Sequence, residues 1–197
     1  MVDNYSVIRK IKEYALKNNV PIMVDDGIDF LTTFIIKHQV KNILEIGTAI
    51  GYSAIMMCLC SPGVTVTTIE RDEKRYMEAL KNIKELKLED KITLIYNDAL
   101  NVRLSEKYDL IFIDAAKAQS IKFFELFEKN LNPGGAIITD NLSFHGLVNK
   151  GEEEIKSRNV RALVRKIKDY VEFLKNNGKY TTEFFDVGDG ISVSIKK

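Results

Sequence analysis

The chain has 197 residues, 45% of them hydrophobic and 29% charged, which suits a globular protein with a substantial core. A net charge of +1 rules out a global basic field for nucleic acid. No apolar run reaches the roughly 18 residues of a membrane span and no signal-peptide pattern is present, so a cytoplasmic protein without membrane contact is expected. Tyr5 to Lys17 carries apolar positions at helical spacing, and Asn18-Asn19 ends it. Val20-Pro21-Ile22-Met23 is extended, and Asp25-Asp26 is expected to cap a second helix bearing Ile28, Leu31, Phe34 and Ile35. Asn42 to Ser53 then reads as a short buried strand, a turn punctuated by Gly47 and Gly51, and the start of a helix over Tyr52 to Leu59. Cys58 and Cys60 on that helix read as buried thiols in a reducing compartment. His38 and His145 are the only histidines, which argues against zinc.

Further strands follow at Val64 to Glu70, Lys91 to Tyr96, Tyr108 to Asp114 and Ala136 to Thr139. Between them lie a helix capped by Asp72, running from Glu73 to about Lys87, and one with Ile121, Phe124, Leu126, Phe127 and Leu131. A long helix spans about Ile155 to Asn176. The chain closes with a hairpin, Thr181 to Val187 and Ile191 to Lys196, joined through Gly188-Asp189-Gly190. Alternation of strands and helices predicts an α/β, Rossmann-like doubly wound sheet, mostly parallel, with an antiparallel C-terminal hairpin. No repeat or linker interrupts it. A single domain over 1–197 is expected, with leading helices in 1–40 over the mouth of the site.

Acidic or amide residues end almost every parallel strand: Glu45, Glu70, Asp98, Asp114 and Asp140-Asn141. Ligands bind at those ends in such sheets. The G-x-x-x-G spacing is not the dinucleotide G-x-G-x-x-G, and Glu45 before the loop would repel a pyrophosphate but attract a sulfonium. Glu70 stands where an acid accepts ribose hydroxyls; the plainer alternative is a surface carboxylate paired to Arg71 or Lys74. Asp98, followed by Ala99, suits an adenine amino group or an Asx-turn. Asp114 and Asp140, on neighbouring strands, would lie ~5 Å apart. With the Asn141 amide they form a hard-oxygen set suited to Mg²⁺ or another divalent cation. Lys117 reaches the same mouth, as general base or as the neutralising partner of Asp114.

The motifs LEIGTAIGYSA (44–54), TIERDEKR (68–75), NDAL (97–100), IFIDAAK (111–117) and GGAIITDN (134–141) resemble the cation-dependent O-methyltransferases of the catechol and caffeoyl-CoA type, within the class I S-adenosylmethionine-dependent methyltransferase fold. VPIM (20–23), FIDAAKAQ (112–119) and VGDGISVSIKK (187–197) bring the resemblance nearest to bacterial tRNA 5-hydroxyuridine methyltransferases. It implies S-adenosylmethionine contacts from Met23, Ser53, Glu70, Asp98 and Asp114, with Glu45, Gly47 and Ala99 close by. It implies metal ligation by Asp114, Asp140 and Asn141, catalysis by Asp114 and Lys117, and a homodimer. Two departures stand out. The chain begins later than those relatives, so part of a leading helix is expected to be missing, and His145 replaces a basic residue.

The substrate implied is the wobble 5-hydroxyuridine of a tRNA anticodon loop, converted to 5-methoxyuridine; the alternative is a small catechol. Residues 156–168 contain six Lys or Arg and no acid, with Val160, Leu163, Val164 and Ile167 on one face. Arg158, Arg161 and Arg165 fall on other faces and form a candidate phosphate-binding edge. A solvated helix face, neutralised by the upstream Glu152-Glu153-Glu154, is the competing reading.

Overall fold

The structure, a computed structural model, describes residues 4–144, 146–149 and 152–197, without the side chains of residues 149 and 152. Seven strands form one sheet: β1 (Asn42–Ile46), β2 (Thr65–Glu70), β3 (Ile92–Tyr96), β4 (Tyr108–Ile113), β5 (Leu131–Thr139), β6 (Tyr180–Phe185) and β7 (Ile191–Lys196). Their order is β3-β2-β1-β4-β5-β7-β6, with β7 antiparallel to both neighbours and every other pairing parallel. The helices are α1 (Asn4–Asn18), α2 (Asp25–Lys37), α3 (Tyr52–Leu59), α4 (Glu73–Glu85), α5 (Ser120–Phe127) and α6 (Arg158–Asn176).

Strand alternation divides the core in two. Ile43, Leu110, Phe112 and Ile138 point to the face covered by α1 to α4. Leu44, Ile46, Ile111, Ile113 and Ile137 point to the face covered by α5 and α6, where Phe124 packs edge-on against Tyr170, Phe173 and Tyr180. Both faces of the central strands are therefore dry, which is why they read as continuous apolar runs.

Several element ends differ from expectation. Asp25 and Asp26 lie inside the first turn of α2, whose N-cap is Val24 with no side-chain cap. They favour the helix through its dipole, and Asp25 pairs with Lys12. Leu131 opens β5 opposite Tyr108 and is not helical; Asn132 to Gly135 form an irregularity within that strand pair. Ser157 caps α6 by accepting from the Val160 N–H, so Ile155 stays outside the helix. Asp72 does cap α4, accepting from the Arg75 N–H at 3.0 Å. Cys58 is buried and Cys60 partly so, and both are free thiols. Among the described residues, no helix is long and apolar enough to cross a membrane.

Candidate active site

The carboxyl ends of β1, β2, β4 and β5 open into a cavity of about 810 Å³. Parallel pairing with matched register makes this possible: Ile113 stands opposite Thr139, so Asp114 and Asp140 leave adjacent strands side by side. Gly47 lets the β1 loop press against them. Its φ is +103°, and a Cβ there would sit 2.3 Å from the Asp114 carbonyl oxygen.

Of the expected site residues, Met23, Gly47, Glu70, Asp98, Ala99, Asp114, Lys117, Asp140 and Asn141 line the cavity. Among the described residues of the first 40, only 21–24 line it; α1 packs on α3 and α4, and α2 on α3. Glu45 and Ser53 do not line it. Glu45 is fully buried beneath the loop, where it accepts from the hydroxyls of Ser53 and Thr68. Its strand alternation turns it to the α3 side of the sheet, away from the open mouth. Burial pushes its carboxyl up to about 7; the two hydroxyls oppose that, and the Asp114 and Glu70 charges reinforce it.

Glu70 is not the surface carboxylate of the alternative reading. It is buried, accepting from the Ala49 N–H through Oε2 at 2.8 Å, and from the Arg71 and Asp72 N–H groups through Oε1 at 2.9 and 2.8 Å. These three amides hold the acid rigid at the rim. Asp98 makes the Asx-type contact, accepting from the Leu100 N–H at 2.9 Å, while Arg71 lies 3.4 Å from its other oxygen.

At the opposite end, Lys117 donates to Asp114 Oδ1 at 2.9 Å. Asp140 is only 2% exposed, and its Oδ1 is a buried atom with no hydrogen-bond partner. An ionised oxygen left bare inside a protein is costly. Burial, helped by the nearby Asp114 charge and opposed by Lys117, pushes the Asp140 carboxyl up to about 6. Asn141 adopts a left-handed conformation, φ +60°, and donates from Nδ2 to Asp189 Oδ2 at 3.5 Å. Among the described residues no three His, Cys, Asp or Glu are grouped to hold a metal. The oxygen donors here are two carboxylates and an amide. That set, with one bare buried oxygen, fits a hard divalent cation held by Asp114, Asp140 and Asn141.

Sequence reasoning missed the second wall. Ser143, Phe144, Asp186 and Asp189 also line the cavity, as do Arg71 and Arg75 beside Glu70. The Gly-Asp-Gly triplet was visible, but only as a hairpin turn. Arg158, Arg161 and Arg165 do not line the cavity, although α6 packs against the turns at Lys117–Gln119 and Leu147–Asn149 near its mouth. Arg161 is not an outward cation: its guanidinium donates to the Ile155 carbonyl at 2.8 Å. His145 lies outside the described residues.

The strand order, the single antiparallel strand and the cavity at the carboxyl ends define a class I S-adenosylmethionine-dependent methyltransferase fold. The O-methyltransferase family profile matches residues 1–197, and the chain belongs to that family. It is similar to a Staphylococcus aureus protein of known structure, provisionally named a caffeoyl-CoA O-methyltransferase: 43% identity, TM-score 0.91, covering 96% of this chain and 92% of that one. An O-methyltransferase from Bacillus cereus, solved in complex with SAH, is 28% identical with TM-score 0.82, covering 98% and 91%. A caffeoyl-CoA O-methyltransferase of Populus kitakamiensis is 28% identical over 190 residues, covering 92% of this chain and 80% of its own.

Proposed function

We propose that this protein transfers the methyl group of S-adenosylmethionine to one hydroxyl of a pair of adjacent substrate oxygens, with a divalent cation, and that its substrate is 5-hydroxyuridine in the anticodon loop of tRNA. The observation that carries the reading is the paired ends of β4 and β5, with their two carboxylates, one amide and one bare buried oxygen. The bound Bacillus cereus relative supports the cosubstrate.

The chain's own residues divide the work. Glu70, immobilised by three backbone amides, accepts ribose hydroxyls, and Asp98 with Ala99 borders the base. Met23 and Gly47 line the same cavity and would contact the cosubstrate. S-Adenosylmethionine supplies an electrophilic methyl on sulfur. Asp114, Asp140 and Asn141 would hold the cation, which supplies charge to lower the hydroxyl pKa and to fix two oxygens. Lys117 Nζ, 2.9 Å from Asp114, is the group placed to exchange a proton with the substrate hydroxyl.

The tRNA assignment rests on the motif resemblance and on the run of basic residues on α6, a helix that packs against two turns near the mouth. A small catechol-type substrate is the second reading, favoured by the name of the Populus relative. Nucleoside mass spectrometry of tRNA from a strain lacking the gene separates them. Accumulated 5-hydroxyuridine with loss of 5-methoxyuridine is the expected result. Unchanged tRNA, together with methylation of a catechol by the purified protein, would establish the second reading.

A further inference from the structure

We infer that Asp189, in the turn between β6 and β7, is a positioning residue that sets the Asn141 amide for the cation site, an inference that rests on the metal-dependent reading above. Asn141 leaves β5 in a left-handed conformation, one that asparagine adopts more readily than most residues. The backbone just after it is held by the β6–β7 turn. The Leu142 N–H donates to the Gly190 carbonyl at 2.9 Å and the Ser143 N–H to the Asp189 carbonyl at 2.8 Å. Gly190 has φ +85°, and a Cβ there would lie 2.4 Å from Ser143 Oγ, so the two loops meet as closely as backbones allow.

The side chains complete the clamp. Asp189 Oδ2 receives the Asn141 Nδ2 at 3.5 Å. An amide carries its donor and acceptor on opposite sides of one carbon. Holding Nδ2 toward Asp189 therefore turns Oδ1 the other way, leaving the oxygen as the atom available for coordination. Partners beyond the ligands themselves orient metal-binding groups in this manner in many sites. The hairpin turn, distant in sequence from β5, would thereby choose which atom of Asn141 faces the cation.

The test is Mn²⁺ binding, followed by electron paramagnetic resonance at saturating SAH, for wild type, Asp189→Ala, Asp189→Asn and Asp140→Asn. SAH affinity and thermal midpoint are measured alongside. Wild type is expected to bind Mn²⁺ and Asp140→Asn to lose it. Asp189→Ala should weaken Mn²⁺ about 10- to 100-fold with SAH affinity within twofold. Asp189→Asn keeps an acceptor for Nδ2 and should recover most of the affinity. Absence of Mn²⁺ binding in wild type would overturn the metal reading and this inference with it. Wild-type binding matched by Asp189→Ala would overturn the inference alone. So would a loss in Asp189→Ala that Asp189→Asn does not repair, or one shared equally by SAH and thermal midpoint.

Discussion

At the scale of single residues, two buried carboxylates sit at the same sheet end with different duties. Asp140 faces the cavity with a bare oxygen, whereas Glu45 is sealed under the loop by two hydroxyls. Asp140→Ala should abolish methyl transfer and leave S-adenosylmethionine affinity within about twofold, because the residue lies on the metal side. Asp114→Ala should impair both, since the resemblance assigns its side chain to the cosubstrate as well as to the cation and it lines the cavity between them. Calorimetric titration of each variant decides this; equal loss of cosubstrate affinity in Asp140→Ala would contradict the division. Glu45 makes a pH prediction. Its carboxyl is raised from 4.5 to about 7 in the folded chain, so the folded state holds more proton than the unfolded state between those values. Stability is fully present below pH 4.5 and is lost as pH rises through about 7. Glu45→Gln removes the buried charge and should be more stable than wild type at pH 8, by about 2–3 kcal/mol, with the gap closing towards pH 4.5. Urea unfolding at both pH values measures it, and a gap independent of pH would remove the explanation.

At the scale of elements, α6 carries the sharpest sequence signal with two outcomes. Its apolar stripe packs as its period demands, through Val164, Ile167, Tyr170 and Leu174. Its cations are less uniform than their spacing suggested. Arg161 folds back onto the Ile155 carbonyl and ties the preceding segment to the helix, while Arg158 is exposed. Arg158→Gln should flatten the salt dependence of tRNA binding by roughly 0.7 to 0.9 in log–log slope without changing stability. Arg161→Gln should instead cost about 1 kcal/mol of stability, the worth of one hydrogen bond. Binding across a salt series and thermal melting distinguish the two. An unchanged slope in Arg158→Gln would leave α6 a solvated face and the RNA assignment resting on resemblance.

At the scale of the molecule, the sheet is held between two apolar layers, and the α5–α6 layer turns on Phe124. Its ring meets Tyr170 and Phe173 of α6 and Tyr180 of β6 edge-on, at centroid distances of 6.5, 5.3 and 4.9 Å. It thereby joins α5, α6 and the C-terminal hairpin. Phe124→Ala should cost about 3–5 kcal/mol. The urea midpoint reads that cost, and a loss below about 1 kcal/mol would mean the layer collapses around the gap.

What the chain's order of residues determined was the alternation of strands and helices, and the acids and amide at the carboxyl ends of most parallel strands. Short continuous apolar runs and stripes at period 3.6 are local, as are the Asp72 cap and the Gly47 turn, so they are legible without coordinates. Glu70, Asp98, Asp114, Asp140 and Asn141 were legible as a set for the same reason: ligand groups gather at strand ends in any such sheet. Tertiary structure alone decided which of them face the cavity. Glu45 and Ser53 satisfy each other under the loop, a pairing made between β1 and α3. Glu70 is bound by backbone amides whose direction no spacing reveals. Asp189 reaches Asn141 across 48 positions of chain, because β7 pairs with β5 and brings its turn to the strand end. Periodicity reports which face a residue takes within its own element; which neighbour that face then meets is set by the sheet order, through contacts made far apart in the chain.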